Sequence, residues 1–273
     1  MAYTLDLSGP WAKLERAKKH IDDLRRQIAQ AFPNGELFPL RQEFNREQGV
    51  FIVSIERVKK LPQEWGLIVG DAVHNLRCAL DHLAWQLALR HFDGVEPPDR
   101  GIIKQIQFPV VVDKKDWVTH INRKHMVVTD ADKLEEFQPF NLSPDRRAKG
   151  HRNALEDIAG FGGVDNVDKH RTIHLTYTLV ERVAWMDNWN YRDCTPLDDG
   201  TGPGAGHIKF MLSDNPPKPG DEVYRVTVVP DGPNPQMDFK SSLTGYIAIR
   251  EGWNVIDALD AFAGEVERVL RKF

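Results

Sequence analysis

Two cysteines, Cys78 and Cys194, are all that the 273 residues contain. So sparse a set builds no disulfide framework and fits a reducing compartment, the cytoplasm. No apolar run approaches the roughly 20 residues that span a bilayer, so no membrane is expected as a partner. The opening MAYTLDLSGPW has no basic stretch leading into an apolar one, and no secretory leader is expected there. An excess of one charge is also missing. Lys and Arg total 36 against 40 Asp and Glu, a net charge of −4, so an anionic partner would have to meet a local basic patch. P-loop, GxGxxG, HExxH and GxSxG segments are absent, and with them the usual signatures of an NTPase, a dehydrogenase or a serine hydrolase.

What is present is strongly patterned. Trp11, Leu14, Ala17, Ile21, Leu24, Ile28 and Ala31 recur at three- and four-residue steps, which predicts a helix closed by Pro33 and Gly35. VFIVSIERV reads as a strand, and a long helix follows from about Gln63 to His91. The middle third is broken into short pieces. From Thr172 the period changes to two, predicting a strand over Thr172–Leu179 and further strands at 206–212, 222–229 and 243–249. An amphipathic helix closes the chain. The expectation is an α+β fold in one domain: a bundle-like helical core over about 11–165 and 251–273, with an antiparallel β-rich insertion over about 170–250 before the last helix.

The long helix carries the chemistry. With Asp71 at zero on a wheel of about 100° per residue, Ala72, Leu76, Ala79, Leu80, Leu83 and Leu87 cluster between roughly +80° and +180°. Asp71, His74, Asn75, Cys78, Asp81, His82 and Trp85 fall between roughly −80° and +40°, with Arg77 near −120°. This polar stripe holds no Lys and no Glu, the usual residues of a solvated helix face. Three readings stay open: a partly buried structural network, a functional site, and plain solvent exposure.

Two chemistries fit a functional stripe. His74, Cys78 and His82 stand at i, i+4 and i+8, and neighbours four apart can share an ion, which would make a metal-assisted hydrolase. The outer two lie about 12 Å apart along the axis, and no companion Cys/His cluster accompanies them, so neither metal nor other cofactor is expected. The second chemistry is the Arg77–His82 pair, R-x-x-x-x-H.

On a long helix that spacing resembles the signature of the HEPN superfamily, mostly helical bundles and many of them metal-independent endoribonucleases of toxin–antitoxin and phage-defence systems. The resemblance implies that His82 handles protons at the ribose 2′-hydroxyl and leaving oxygen while Arg77 stabilises phosphorane charge. RNA is then the partner, and a homodimer the assembly. Cys78 stands where the superfamily typically has an amide-like or acidic residue after its Arg. Arg77 and His82 are also about 140° apart on the wheel, so they cooperate only if Arg77 bends round or a dimer completes the site. The wider pattern, GDAVHNLRCALDHLAWQL followed later by NVDKHR, resembles a group of actinobacterial and phage proteins with HNLRSALDHL and DKHR segments; that likeness implies a bacterial or phage protein and no particular activity. The alternative to an RNA-directed enzyme is a non-catalytic binding or scaffold protein whose stripe is a structural network.

The tetrad Asp168-Lys169-His170-Arg171 stands at the entry of the Thr172–Leu179 strand. It reads either as a solvated turn or as the cover of the stripe. In the second case at least one of Asp168, His170 and Arg171 should reach Asp71, Asn75, Asp81 or His82 in a charge-assisted pair of about 2.7–3.0 Å.

Overall fold

The computed structural model describes residues 3–33, 35–148, 153–159, 163–170, 173–184, 190–197, 208–210, 217–238, 241–249 and 253–273. Helices and antiparallel sheets occupy separate parts of the chain, an α+β fold closed by a C-terminal helix. Contacts gather into two compact units, residues 1–27, 62–174 and 255–273 in one and 28–61 and 175–254 in the other.

The first unit is helical. Its elements are α1 (Ser8–Ala31, whose last four residues belong to the second unit), α2 (Gln63–His91), α3 (Arg100–Gln105), α4 (Lys114–Thr119), α5 (Val128–Glu135), α6 (Pro144–Ala148), α7 (Ala154–Ala159), α8 (Val164–His170) and α9 (Val255–Leu270). At 29 residues, α2 is roughly 43 Å long at a rise of about 1.5 Å per residue. The predicted apolar face is the buried one: Ala72, Leu76, Ala79, Leu80, Leu83 and Leu87 are all 0% exposed, and Val73 and Ala84 widen it. Burying a Leu side chain is worth about 1.5–3 kcal/mol, so this face rather than helix propensity holds α2 in place. The helix ends at Phe92-Asp93-Gly94, where Gly94 takes φ +84° and returns its N–H to the Leu89 carbonyl.

α2 packs on α7, α8 and α9. The amphipathic α9 buries Leu259, Phe262, Val266 and Val269. It is joined to α1 by Lys18–Glu267 at 2.8 Å and by the Arg25 guanidinium gripping Asp260 at 2.8 Å. Between α3 and α4, the segment IQFPVVV belongs to no strand of the described sheets. Side chains stand in for a neighbouring strand: Asp81 accepts from the Phe108 N–H at 2.9 Å, and the fully buried Gln138 accepts from Val111 at 3.0 Å.

The second unit holds the strands β1 (Leu40–Asn45), β2 (Val50–Ile55), β3 (Leu175–Ala184), β4 (Asn190–Arg192), β5 (Cys194–Pro196), β6 (Ile208–Phe210), β7 (Glu222–Pro230), β8 (Gln236–Asp238), β9 (Ser241–Ile249) and β10 (Trp253–Asn254). One sheet runs β1-β2-β7-β5 with β6 also on β7; β10-β9-β3 and β4-β8 make two smaller ones. The VFIVSIERV strand, expected within the helical core, is thus β2 of the β layer, paired to β7 in the register Phe51–Val226. Gly49 closes the β1–β2 hairpin at φ +61°, with its carbonyl bonded to the Val228 N–H at 2.8 Å. Phe38 meets the Tyr177 ring edge-on at 5.2 Å, and the Tyr177 hydroxyl donates to the Lys59 carbonyl at 2.6 Å. Burial pushes that phenol up to about 12.

The strand expected from Thr172 begins at Leu175. Three of the four DKHR residues are helical, with Asp168, Lys169 and His170 in the last turn of α8. An acidic Asp165 in the first turn and Lys169 four residues on are a favourable helix pattern, which local alternation further along had masked. Arg171, and the side chain of His170, lie outside the described residues.

Candidate functional site on the long helix

The stripe is neither one covered network nor one open face. Asp71, His74 and His82 are exposed, Asn75, Cys78, Asp81 and Trp85 are half-buried, and Arg77 is buried. Its members take up three separate sets of partners.

Arg77 turns toward the core and is only 8% exposed. Its Nε donates to Asp81 Oδ2 at 3.0 Å and its Nη2 lies 2.9 Å from Oδ1, a two-pronged i,i+4 pair. Because Asp81 also accepts the Phe108 N–H, one carboxylate satisfies a buried cation and an unpaired backbone donor together. Asn75 returns its Nδ2 to the Asp71 carbonyl at 2.8 Å, a local helix contact.

The second set runs from α2 to α8. His74 Nδ1 lies 3.2 Å from Oδ1 of Asp165, a carboxylate only 5% exposed, and Lys169 Nζ lies 2.8 Å from its other oxygen. A carboxylate can only accept, so Nδ1 carries the proton and donates. In the neutral imidazole that leaves the lone pair on Nε2, which lies 3.5 Å from Cys78 Sγ.

The third set surrounds His82, which lies next to Gly9 at the start of α1. With Trp85, Gln86, Asp6 and Ser8 it lines a shallow pocket of about 350 Å³. Gln86 Oε1 accepts from the Tyr3 hydroxyl and the Asp6 N–H, at 2.9 and 3.0 Å.

Asp168 reaches α2 as expected of the tetrad, but not as a hydrogen-bond partner. Its carboxylate lies against Gly70, where a Cβ would overlap it. Among the described residues no hydrogen bond joins it to Asp71, Asn75, Asp81 or His82. Burial raises the Asp168 carboxyl above its ordinary range, the nearby Asp165 and Asp71 add to the effect, and His74 opposes it. A carboxyl with a folded-state pKa raised above the unfolded one loses stability as pH rises through the folded value. Asp168→Asn is therefore expected to raise the melting temperature at neutral pH, with the gain gone below about pH 3.9, where the carboxyl is protonated in both states. Calorimetry at the two pH values checks this.

Arg77 and His82 do not converge within one chain: the first is buried against Asp81, the second points to solvent on another side of the helix. Nor do His74, Cys78 and His82 gather. Among the described residues no group of three or more His, Cys, Asp or Glu is placed to hold a metal ion. The residue that sequence reasoning missed is Asp165. Its signal was the Asp165–Lys169 spacing in VDNVDKH, legible only once that stretch is taken as a helix. No family model matches the chain, and neither does any curated protein or solved structure. Among the described residues no helix is long and apolar enough to cross a membrane.

Proposed function

We propose that this is a non-catalytic binding or scaffold protein in which the Arg77–Asp81 pair is a structural brace. One observation carries the reading. The Nε/Nη2 edge of Arg77, the edge that would grip a phosphate bidentately, is occupied by Asp81 on a side chain 10% exposed. Freeing it for a substrate would break both of its bonds to Asp81 and leave a cation 8% exposed without its partner, while Asp81 kept the Phe108 N–H.

A second reading, an RNA-directed HEPN-like protein, draws on His82 alone. That imidazole is exposed at a pocket beside Trp85, whose ring offers a face on which an unstacked base could lie. The cation would then have to come from elsewhere, most simply from a second copy. Incubating the purified protein with single-stranded and hairpin RNA in EDTA separates the two. The binding reading expects no cleavage by the wild type, and a His82→Ala variant within about 0.5 kcal/mol of wild-type stability. Cleavage that disappears in His82→Ala would replace it with the endoribonuclease.

A further inference from the structure

We infer that Cys78 is a base-assisted thiol, the site at which this protein forms a mixed disulfide with small soluble disulfides. The inference goes beyond the binding reading and does not depend on it. It rests on an ordered series of three side chains from two helices: Cys78 Sγ to His74 Nε2 at 3.5 Å, then His74 Nδ1 to Asp165 Oδ1 at 3.2 Å. Nucleophile, base and orienting carboxylate in that order are the parts that activate a weak nucleophile. Each link has its own cause. Cys78 and His74 are one helical turn apart on α2, so their side chains meet by helix geometry. Asp165 comes from α8, is held by Lys169 at 2.8 Å and is almost wholly buried, so it fixes both the ring and its tautomer.

The surroundings decide which reaction this arrangement suits. Burial pushes the Cys78 thiol up; Asp81 on its own helix and Asp165 on α8 push the same way, against Lys13 on α1 and Lys169 on α8. At rest the sulfur keeps its proton, and reaction requires a base within reach. A thiolate generated from such a thiol is the more nucleophilic for its higher basicity. The site sits in the interior of α2, where backbone N–H groups are engaged in the helix. No pair of free amides is therefore offered to an oxyanion, which argues against acyl transfer. Attack on a disulfide sulfur needs none. The Cys78 S–H bond breaks as its proton passes to His74 Nε2, and a bond forms between Sγ and one sulfur of the disulfide. The S–S bond of that disulfide breaks, and the departing thiolate takes the proton from His74. Electrons and atoms balance with the disulfide as the only co-reactant. Cys194 is an internal comparison: it is 5% exposed, with its Sγ against the Arg192 and Gln236 carbonyls and no imidazole among its described hydrogen-bond partners.

Dithiodipyridine, an uncharged disulfide whose released thiol absorbs light, tests this on the full chain, with peptide mass analysis to locate the label. Cys78 should be labelled well before Cys194. His74→Asn, a change at a side chain 53% exposed, should keep the fold and slow labelling roughly 10²-fold at neutral pH. The wild-type rate should already have levelled off below about pH 8.5, where an unassisted thiol ionises, whereas the His74→Asn rate should climb with thiol ionisation. Asp165→Asn should slow the reaction as well. If that buried change unfolds the protein, the His74→Asn comparison decides alone. An unchanged rate in His74→Asn, a wild-type profile that follows thiol ionisation, or label on Cys194 first would each overturn the inference.

Discussion

Asp81→Ala is expected to destabilise the protein by about 3 kcal/mol, the lower end of what breaking a buried ion pair costs. The lower end applies because the Asp81 side chain is 32% exposed and the orphaned Arg77 can bend part of its length toward water. Two losses add up in this one change: the charge partner of a guanidinium 8% exposed and the acceptor for the Phe108 N–H. Arg77→Met, which keeps an apolar stem of similar length, should cost much less, about 1 kcal/mol, since Asp81 retains the Phe108 amide and water. The sign of the combination is the sharper test. Arg77→Met added to Asp81→Ala should restore stability, because it removes the buried charge that the first change left unpaired. Urea unfolding of the three variants gives the cycle. A double variant less stable than Asp81→Ala alone would show that Arg77 works through contacts other than this pair.

Gly66→Ala is expected to cost about 1–3 kcal/mol, the range for forcing extra volume into a packed interface. The usual rule has the opposite sign, since alanine in a helix interior is favoured over glycine by up to about 1 kcal/mol. At Gly66, however, a Cβ would overlap the carbonyl oxygen of Ile173, a backbone atom that cannot swing aside. Gly70 faces the Asp168 carboxylate instead, the end of a side chain, so Gly70→Ala should be milder. Gly264 on α9 is exposed with nothing near its absent Cβ, and Gly264→Ala should follow the usual rule and stabilise. Thermal melts of the three alanine variants should rank Gly264→Ala highest and Gly66→Ala lowest. An increase in stability for Gly66→Ala would mean that the segment at Ile173 does not rest on α2.

Several elements were legible from residue order because their cause is local. The α2 boundaries at Gln63 and His91 follow from an apolar stripe of helical period between Pro62 and the Phe92-Asp93-Gly94 turn. The division of α2 into apolar and polar faces is equally local, since angular position on a helix depends only on spacing. Strands β7 and β9 stand at the places their alternation predicts. Short pieces were less readable. Thr176 and Thr178 alternate with Tyr177 as a strand should, but the two-turn helix just before them, Val164–His170, gave no such signal. Such a helix is too short to declare itself by period.

Tertiary structure alone decided what the polar stripe does. The sequence could place His74, Cys78, Asp81 and His82 on one side of a helix with Arg77 beyond its edge, and by itself it established the chain as α+β with that stripe at its centre. It could not say which partner would arrive opposite each. Asp81 is completed by a backbone N–H 27 residues away and His74 by a carboxylate 91 residues away. These distances in sequence carry no periodic signal, because the pairings follow from how the segments around α2 close on its apolar face. Arg77 and His82, joined by spacing, were parted by packing: one lies at the edge of the buried face and is drawn to the nearest carboxylate, while the other stays in water. Asp165, which no spacing rule connects to His74 and Cys78, was brought to them because Gly66 and Gly70 leave room for the chain through α8 to lie directly on α2.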